Sequence, residues 1–241
     1  MLNRPTLWNG IEVPYGASVE ELARWTDGPA PQRWAAFVAL AHTPGDSALE
    51  ALKDRAVSAD AHVRRIALEA ISVHPDGHRL RVVILSLLSD RDGFVVRSAC
   101  EAAARHRLAD AHDSILRLLS AGDGLTRAAA LRALGALWQE QDFPEVLRLF
   151  TSDPSDEVRK EAGWTLHSVV SFANWQALFA LWRASTVPRH RTWACELAAM
   201  YGGREVLADL RSLSGDADGH VRNRADEAIK VLNEIGLTTG E

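Results

Sequence analysis

One phrase recurs along this chain at a nearly constant interval. It is clearest in "DAHVRRIALEAI" and "DGHVRNRADEAI". It reappears as "RDGFVVRSACEAAA", "GDGLTRAAALRAL", "SDEVRKEAGWTL" and "STVPRHRTWACELA", with a weaker first copy "APQRWAAFVAL". The arginines that anchor the copies are Arg33, Arg64, Arg97, Arg127, Arg159, Arg191 and Arg222, spaced by 31, 33, 30, 32, 32 and 31 residues. Seven copies at so steady a period mark a solenoid, whose units each fail to bury their own apolar face and so must stack.

Counting from the anchor shows what one unit builds. Three residues on lie Ala36, Ala67, Cys100, Ala130, Ala162, Ala194 and Ala225, and seven on lie Leu40, Ile71, Ala104, Leu134, Leu166, Ala198 and Ile229. Small and larger apolar residues thus recur one turn apart on one helical face. Twelve residues before the anchor sit Leu52, Leu85, Ile115, Leu147, Phe179 and Leu210, and nine before it Leu88, Leu118, Phe150, Trp182 and Leu213, the face of a preceding helix. Turn and cap residues separate the two: Asp60, Asp92 with Gly93, Asp123 with Gly124, Asp153 with Pro154, and Asp218 with Gly219. Each unit reads as helix, tight turn, helix.

In the first unit the apolar pair appears only after a shift of one residue, at Leu22 and Trp25, which implies a turn one residue shorter. Ser18 and Glu21 match a capping box, so its first helix is expected to begin near residue 19. Residues 1–17 fit no unit and are expected to form an arm or cap over the first repeat. Residues 18–236 are the solenoid and 237–241 a disordered tail. The fold class is therefore all-α, an α-α superhelix of about seven two-helix repeats.

The Asp-x-x-Val-Arg-x-x-Ala-x-x-Ala-Leu elements resemble HEAT repeats. The short period is similar to the HEAT-like repeats named after phycobilisome lyases. The resemblance implies that the arginine-bearing helix lines a concave side and that aspartate and arginine pair within or between turns. "VPRHRTWACELA" departs from the pattern, lacking both the aspartate and the valine. On this reading the arginines are structural partners of turn aspartates rather than ligand contacts.

Chemistry is sparse. None of the three lysines follows a glycine, which excludes a GxxxxGK[ST] phosphate loop, and GxSxG is missing. No histidine precedes a glutamate, unlike the His-Glu pairs of the HEAT-like deoxyhypusine hydroxylases. "HPDGH", His74 to His78, reads as a surface loop, so no metal and no other cofactor is expected. Cys100 and Cys195 lie three units apart, too far for a disulfide, and take small core positions where they are expected to be inert. A net charge of -5 argues against a surface built for nucleic acid, which is unlikely as a partner though not excluded. No run of 18 apolar residues and no secretory head occurs, so a cytoplasmic protein without a membrane segment is expected.

The face of the second helices turned away from the stack remains as a working surface. Positions one, five and eight beyond each anchor are expected there. They place Arg65, Arg105, Arg132 and Lys160 near the middle, with Trp164 and His167 beside them, Trp34 at one end, and Glu69, Glu196 and Glu227 toward the flanks. A monomeric, non-catalytic scaffold holding a partner protein or peptide on this concave face is the favoured reading, with Trp164 as a principal contact. Two others compete: a DNA-binding protein similar to HEAT-like alkylpurine glycosylases, and a tetrapyrrole lyase or chaperone suggested by repeat style alone.

Overall fold

The computed structural model describes residues 7–8 and 10–238. Fourteen α-helices follow one another among them: α1 Val19–Trp25, α2 Ala30–Ala41, α3 Asp46–Ala56, α4 Ala61–Val73, α5 Arg81–Leu87, α6 Gly93–Arg105, α7 His112–Leu118, α8 Gly124–Ala136, α9 Phe143–Ser152, α10 Asp156–Ser168, α11 Trp175–Arg183, α12 Pro188–Tyr201, α13 Leu207–Leu213 and α14 Gly219–Thr238. Taken in pairs they are seven helical hairpins, and the second helix of each carries the anchor arginine. The protein is an all-α repeat fold of the solenoid class. Ser18 caps α1 as expected, its hydroxyl accepting from Glu21 N at 3.2 Å while Glu21 accepts from Ser18 N at 3.0 Å.

The segment ahead of α1 holds one feature that helical periodicity does not give. Strands β1 (Leu7–Trp8) and β2 (Ile11–Glu12) pair antiparallel, Leu7 opposite Glu12 and Trp8 opposite Ile11, and lie against α2. The overlooked signal is the Asn9-Gly10 dipeptide. Gly10 has φ +80°, the left-handed conformation that tight hairpin turns demand. Of the expected arm and tail, residues 1–6, 9 and 239–241 lie outside the described residues, and α14 runs on to Thr238.

The chain forms two compact units, Met1–Leu166 and His167–Glu241, divided within α10. In the first, α2, α4, α6 and α8 stack as one layer, with α1, α3, α5 and α7 packed behind them. The residues three beyond the anchors, Ala36, Ala67, Cys100 and Ala130, are all fully buried in this layer, and Ala162 is fully buried on α10. A methyl or thiol there lets backbones approach closely enough for the larger Leu40, Ile71 and Leu134 to interlock. In the second unit α12 packs between α11 and α14 on Ala194 and Ala225, over a large apolar centre at Trp182.

The anchor arginines carry the turns. Arg64 Nη1 donates to the carbonyls of Ser58 and Ala59 at 2.9 and 3.0 Å, satisfying oxygens left over where α3 ends. Its Nε and Nη2 form a fork, both at 2.8 Å, onto Asp90 in the next unit's turn. Arg127 does the same with Ala121, Gly122 and Asp153, and Arg191 with Ser185 and Asp216. Each accepting aspartate also takes a backbone N–H two residues on, from Asp92, Ser155 or Asp218. Asp60, Asp92, Asp123 and Asp218 instead cap the second helices by accepting from His62, Phe94, Thr126 and His220. Asp153, grouped with these in the sequence, thus belongs to the arginine-pairing set with Asp90 and Asp216. The sixth copy keeps a regular turn without its aspartate, since Ser185 Oγ accepts from Val187 N at 3.2 Å and Pro188 opens α12.

The His74 to His78 stretch is not the plain surface loop expected. His74 is buried. Its Nδ1 accepts from Asp76 N at 3.0 Å, which leaves Nε2 to donate to the carbonyl of Thr43 at 2.9 Å in the preceding unit. A Cβ at Gly77 would collide with the Ile71 carbonyl and the His106 ring, whose Nε2 meets that carbonyl at 2.8 Å. The turn is therefore sealed from inside.

Candidate functional site

In the first unit the open face of the second helices carries six of the seven residues singled out in the sequence. Trp34, on α2, stands edge-on to His62 at 5.8 Å, and the Arg65 guanidinium lies 5.4 Å from its ring centroid. An apolar hollow of 250 Å³ opens beside it, lined by Phe37, Val38, Ala41, Ile66 and Val73. Arg65 is held by Glu69 at 2.6 Å and Arg105 lies 3.5 Å from Glu101, each one helical turn apart. Arg132 on α8 reaches Glu161 on α10 at 2.8 Å. Lys160 and Trp164 follow on α10, both exposed, four residues apart on one helical face. Trp164 is 47% exposed, so it is not part of the buried core.

Four of the positions expected on this face are buried instead: Ala41, Ser72, Ala102 and Ala128. Small side chains at these four positions sink between stacked helices, while Arg105, Arg132, Lys160 and Trp164 of the same rows stay exposed.

A hollow of 310 Å³ over α4, α6 and α8 gathers Arg65, Arg97 and Arg132 with Glu69, Glu101, Ser72, Ser98 and Phe94. Phe94 was overlooked in the sequence because it lies three residues ahead of its anchor, outside the rows considered. It is 63% exposed, and Arg97 stacks over it at 4.3 Å. An aromatic in the exposed first turn directly after an Asp-Gly cap was the available signal.

The seventh residue, His167, belongs to the second unit. Its ring stacks on Trp193 at 4.6 Å, and Nε2 lies 3.2 Å from Glu196. His190 stacks on the same indole at 5.4 Å, and burial pushes its pKa below the usual histidine range. A groove of 610 Å³ between α12 and α14 exposes the edge of this cluster, with Glu196, Arg224 and Glu227 linked along it at 3.4 and 2.9 Å.

Both cysteines are free and buried, and burial pushes each thiol up to about 12, far from a reactive thiolate. Among the described residues no three His, Cys, Asp or Glu side chains gather as a metal site. No described helix is long and apolar enough to cross a membrane.

Residues 81–167, which span α5 to α10, match the family of HEAT repeats. The repeats are HEAT-like. Solved structures carry the likeness along the rest of the chain. An engineered protein aligns with a TM-score of 0.59 at 21% identity, covering 89% of this chain and 68% of its own. The complex of CpcE and CpcF of phycocyanin lyase from Nostoc aligns at 0.57 and 16% identity, covering 96% and 99%. A homology model of the full-length AP-3 complex aligns at 0.56 and 13%, covering 92% and 52%. At these identities the likeness shows the HEAT-like fold and nothing finer. No curated protein matches the chain significantly.

Proposed function

We propose that this HEAT-like protein is a monomeric, non-catalytic scaffold that holds a segment of a partner protein on the open face of its second helices. The observation that carries the reading is Trp164, a large aromatic 47% exposed among charged neighbours. Lys160 precedes it on the same helical face, and Arg132 reaches α10 through Glu161. Tryptophan and arginine dominate binding hot spots because they combine apolar area with directed hydrogen bonds. Trp34, Arg65 and Arg105 extend the same surface along α2, α4 and α6. The second unit, taken by itself, offers His167 and Glu196 beside the buried Trp193, whose edge lines the groove between α12 and α14. The surface ion pairs do not oppose this use. Exposed pairs contribute about 0–1 kcal/mol, so Arg105 exchanges Glu101 for a partner carboxylate at little cost.

The test is Trp164→Ala, measured against a partner recovered from the native host. The melting temperature should be nearly unchanged, while binding weakens by about 2 kcal/mol, the magnitude of a hot spot. A loss of several degrees would make Trp164 a packing residue. Normal binding by this variant, together with loss of binding when residues 1–17 are deleted, would move the working surface to the arm.

A further inference from the structure

Six of the seven anchor arginines donate to a backbone carbonyl in the turn before their helix: Arg33 to Gly28, Arg64 to Ser58, Arg127 to Ala121, Arg159 to Asp153, Arg191 to Ser185 and Arg222 to Asp216. Arg97 is the exception. Among the described residues it makes no hydrogen bond. Its guanidinium stacks on Phe94 and stops 3.6 Å from Asp123, whose carboxylate is already engaged by Thr126 N at 2.8 Å. The interval from Arg64 to Arg97 is 33 residues, the longest of the six, and Arg97 follows its cap Asp92 by five residues where Arg64 and Arg127 follow Asp60 and Asp123 by four, so buried Val96 takes the usual place and Arg97 is turned about 100° around α6, away from the turn carbonyls. Gly93 leaves room beside it, since a Cβ there would stand 3.2 Å from Arg97 Nη1.

The released guanidinium lines the 310 Å³ hollow. Of the three arginines there, Arg65 and Arg132 have hydrogen-bonded carboxylates, Glu69 and Glu161, and Arg97 has none. An arginine whose fork makes no hydrogen bond and only a loose 3.6 Å ion pair with Asp123, stacked on an exposed aromatic and flanked by two more cations, presents donors that fit an incoming carboxylate. Phe94 and Ala129 supply apolar wall next to it, and Ser98 lies on the rim.

We infer that this hollow is the seat for an acidic side chain of the partner, an Asp or Glu with a neighbouring apolar residue against Phe94. The inference rests on the proposed second-helix binding surface and names the chemistry it reads. A nucleic-acid backbone fits less well. Glu69 and Glu101 line the same hollow, and a continuous row of phosphates would meet them.

The experiment uses the full chain and a fluorescein-labelled peptide of Glu-Phe-Gly-Ser repeats, with a control carrying Gln for Glu, followed by anisotropy at physiological salt. The Glu peptide should bind saturably and about tenfold more tightly than the Gln peptide, and Arg97→Gln should erase that difference. Arg97→Gln should melt with the parent protein, because it removes no hydrogen bond. No saturable binding, equal binding of the two peptides, or an unaffected R97Q would overturn the seat. So would full displacement of the peptide by a short DNA duplex, which would make phosphate the occupant. The native partner separates this failure from the broader one. If it binds R97Q normally but not W164A, the seat is wrong and the surface stands, whereas normal binding by both variants removes the surface as well.

Discussion

Arg64 and Arg97 are the repeat arginines of adjacent units, but Arg97 stands one residue further from its helix cap, and the fold uses the two in opposite ways. Arg64 makes four hydrogen bonds, two to carbonyls behind it and two to Asp90 ahead, and is almost wholly buried with its partner. Arg97 makes none, and lies over an exposed ring. The difference begins one unit downstream. At the place in the next turn where Arg64, Arg127 and Arg191 find Asp90, Asp153 and Asp216, the turn ahead of Arg97 has Ala121, and Arg97 comes only within 3.6 Å of the cap Asp123. The same residue type is therefore a hydrogen-bonded tie between units where an aspartate stands two before the next cap, and a loosely ion-paired, half-buried group over an aromatic where none does. A repeat array can vary its surface this way without changing its scaffold, because each turn answers only to its neighbour.

The sharpest way to break this comparison is Arg64→Gln set against Arg97→Gln. R64Q leaves Asp90 buried without its cation and should cost on the order of 3 kcal/mol in urea unfolding. R97Q should stay within about 0.5–1 kcal/mol of the parent, since it removes one loose ion pair and no hydrogen bond. Equal losses would mean that the two arginines share one role.

Overpacking probes the layer that both arginines serve. Ala130→Leu or Ala162→Leu should lower stability by about 1–3 kcal/mol, read as a fall in melting temperature, since neither site has space for a larger side chain.

Acid should undo the ties and spare the surface. The guanidinium of Arg127 holds the Asp153 carboxyl below the usual range, and Arg191 does the same for Asp216. Burial works against the shift at Asp90, but the fork from Arg64 prevails. An aspartate with a depressed folded pKa contributes stability that is complete above its unfolded value of about 3.9 and disappears as pH falls through the folded value. The urea midpoint should therefore decline below roughly pH 4, and the decline should be shallower in Asp153→Asn. An identical slope in that variant would remove Asp153 from the ties.

The smallest effect concerns another buried pair. His112 lies 2.9 Å from Asp142, both buried, at the entries to α7 and α9. Burial pushes its pKa down, but the carboxylates of Asp142 and Asp113 outweigh this and raise it. A raised histidine contributes stability present below its unfolded pKa and lost as pH rises through the folded one. Stability should thus drop slightly on going from mildly acidic to mildly alkaline solution, a step that His112→Gln abolishes.

Much of this protein was written in the order of its residues. The period, the seven hairpins, the capping box at Ser18 and the buried ladder from Ala36 to Ala225 follow from spacing, because a helix turns by a fixed angle and a hairpin cannot hide its own apolar stripe. Even the alternation of tied and untied arginines was present, in which turns contain an aspartate six or seven residues before the next anchor. Tertiary packing decided what each exposed position became. Ala102 and Ala128 sank into the stack while Arg132 and Trp164, five beyond their anchors like Ala102, stayed out, since depth depends on side-chain length and on how closely the next helix approaches. Arg97 was turned away from the carbonyls by its place one residue further from the cap and set over Phe94, and Trp193 was clasped by His167 from another helix, 26 positions away in the chain. Distances of this kind come from the meeting of elements remote in sequence, which no local period records.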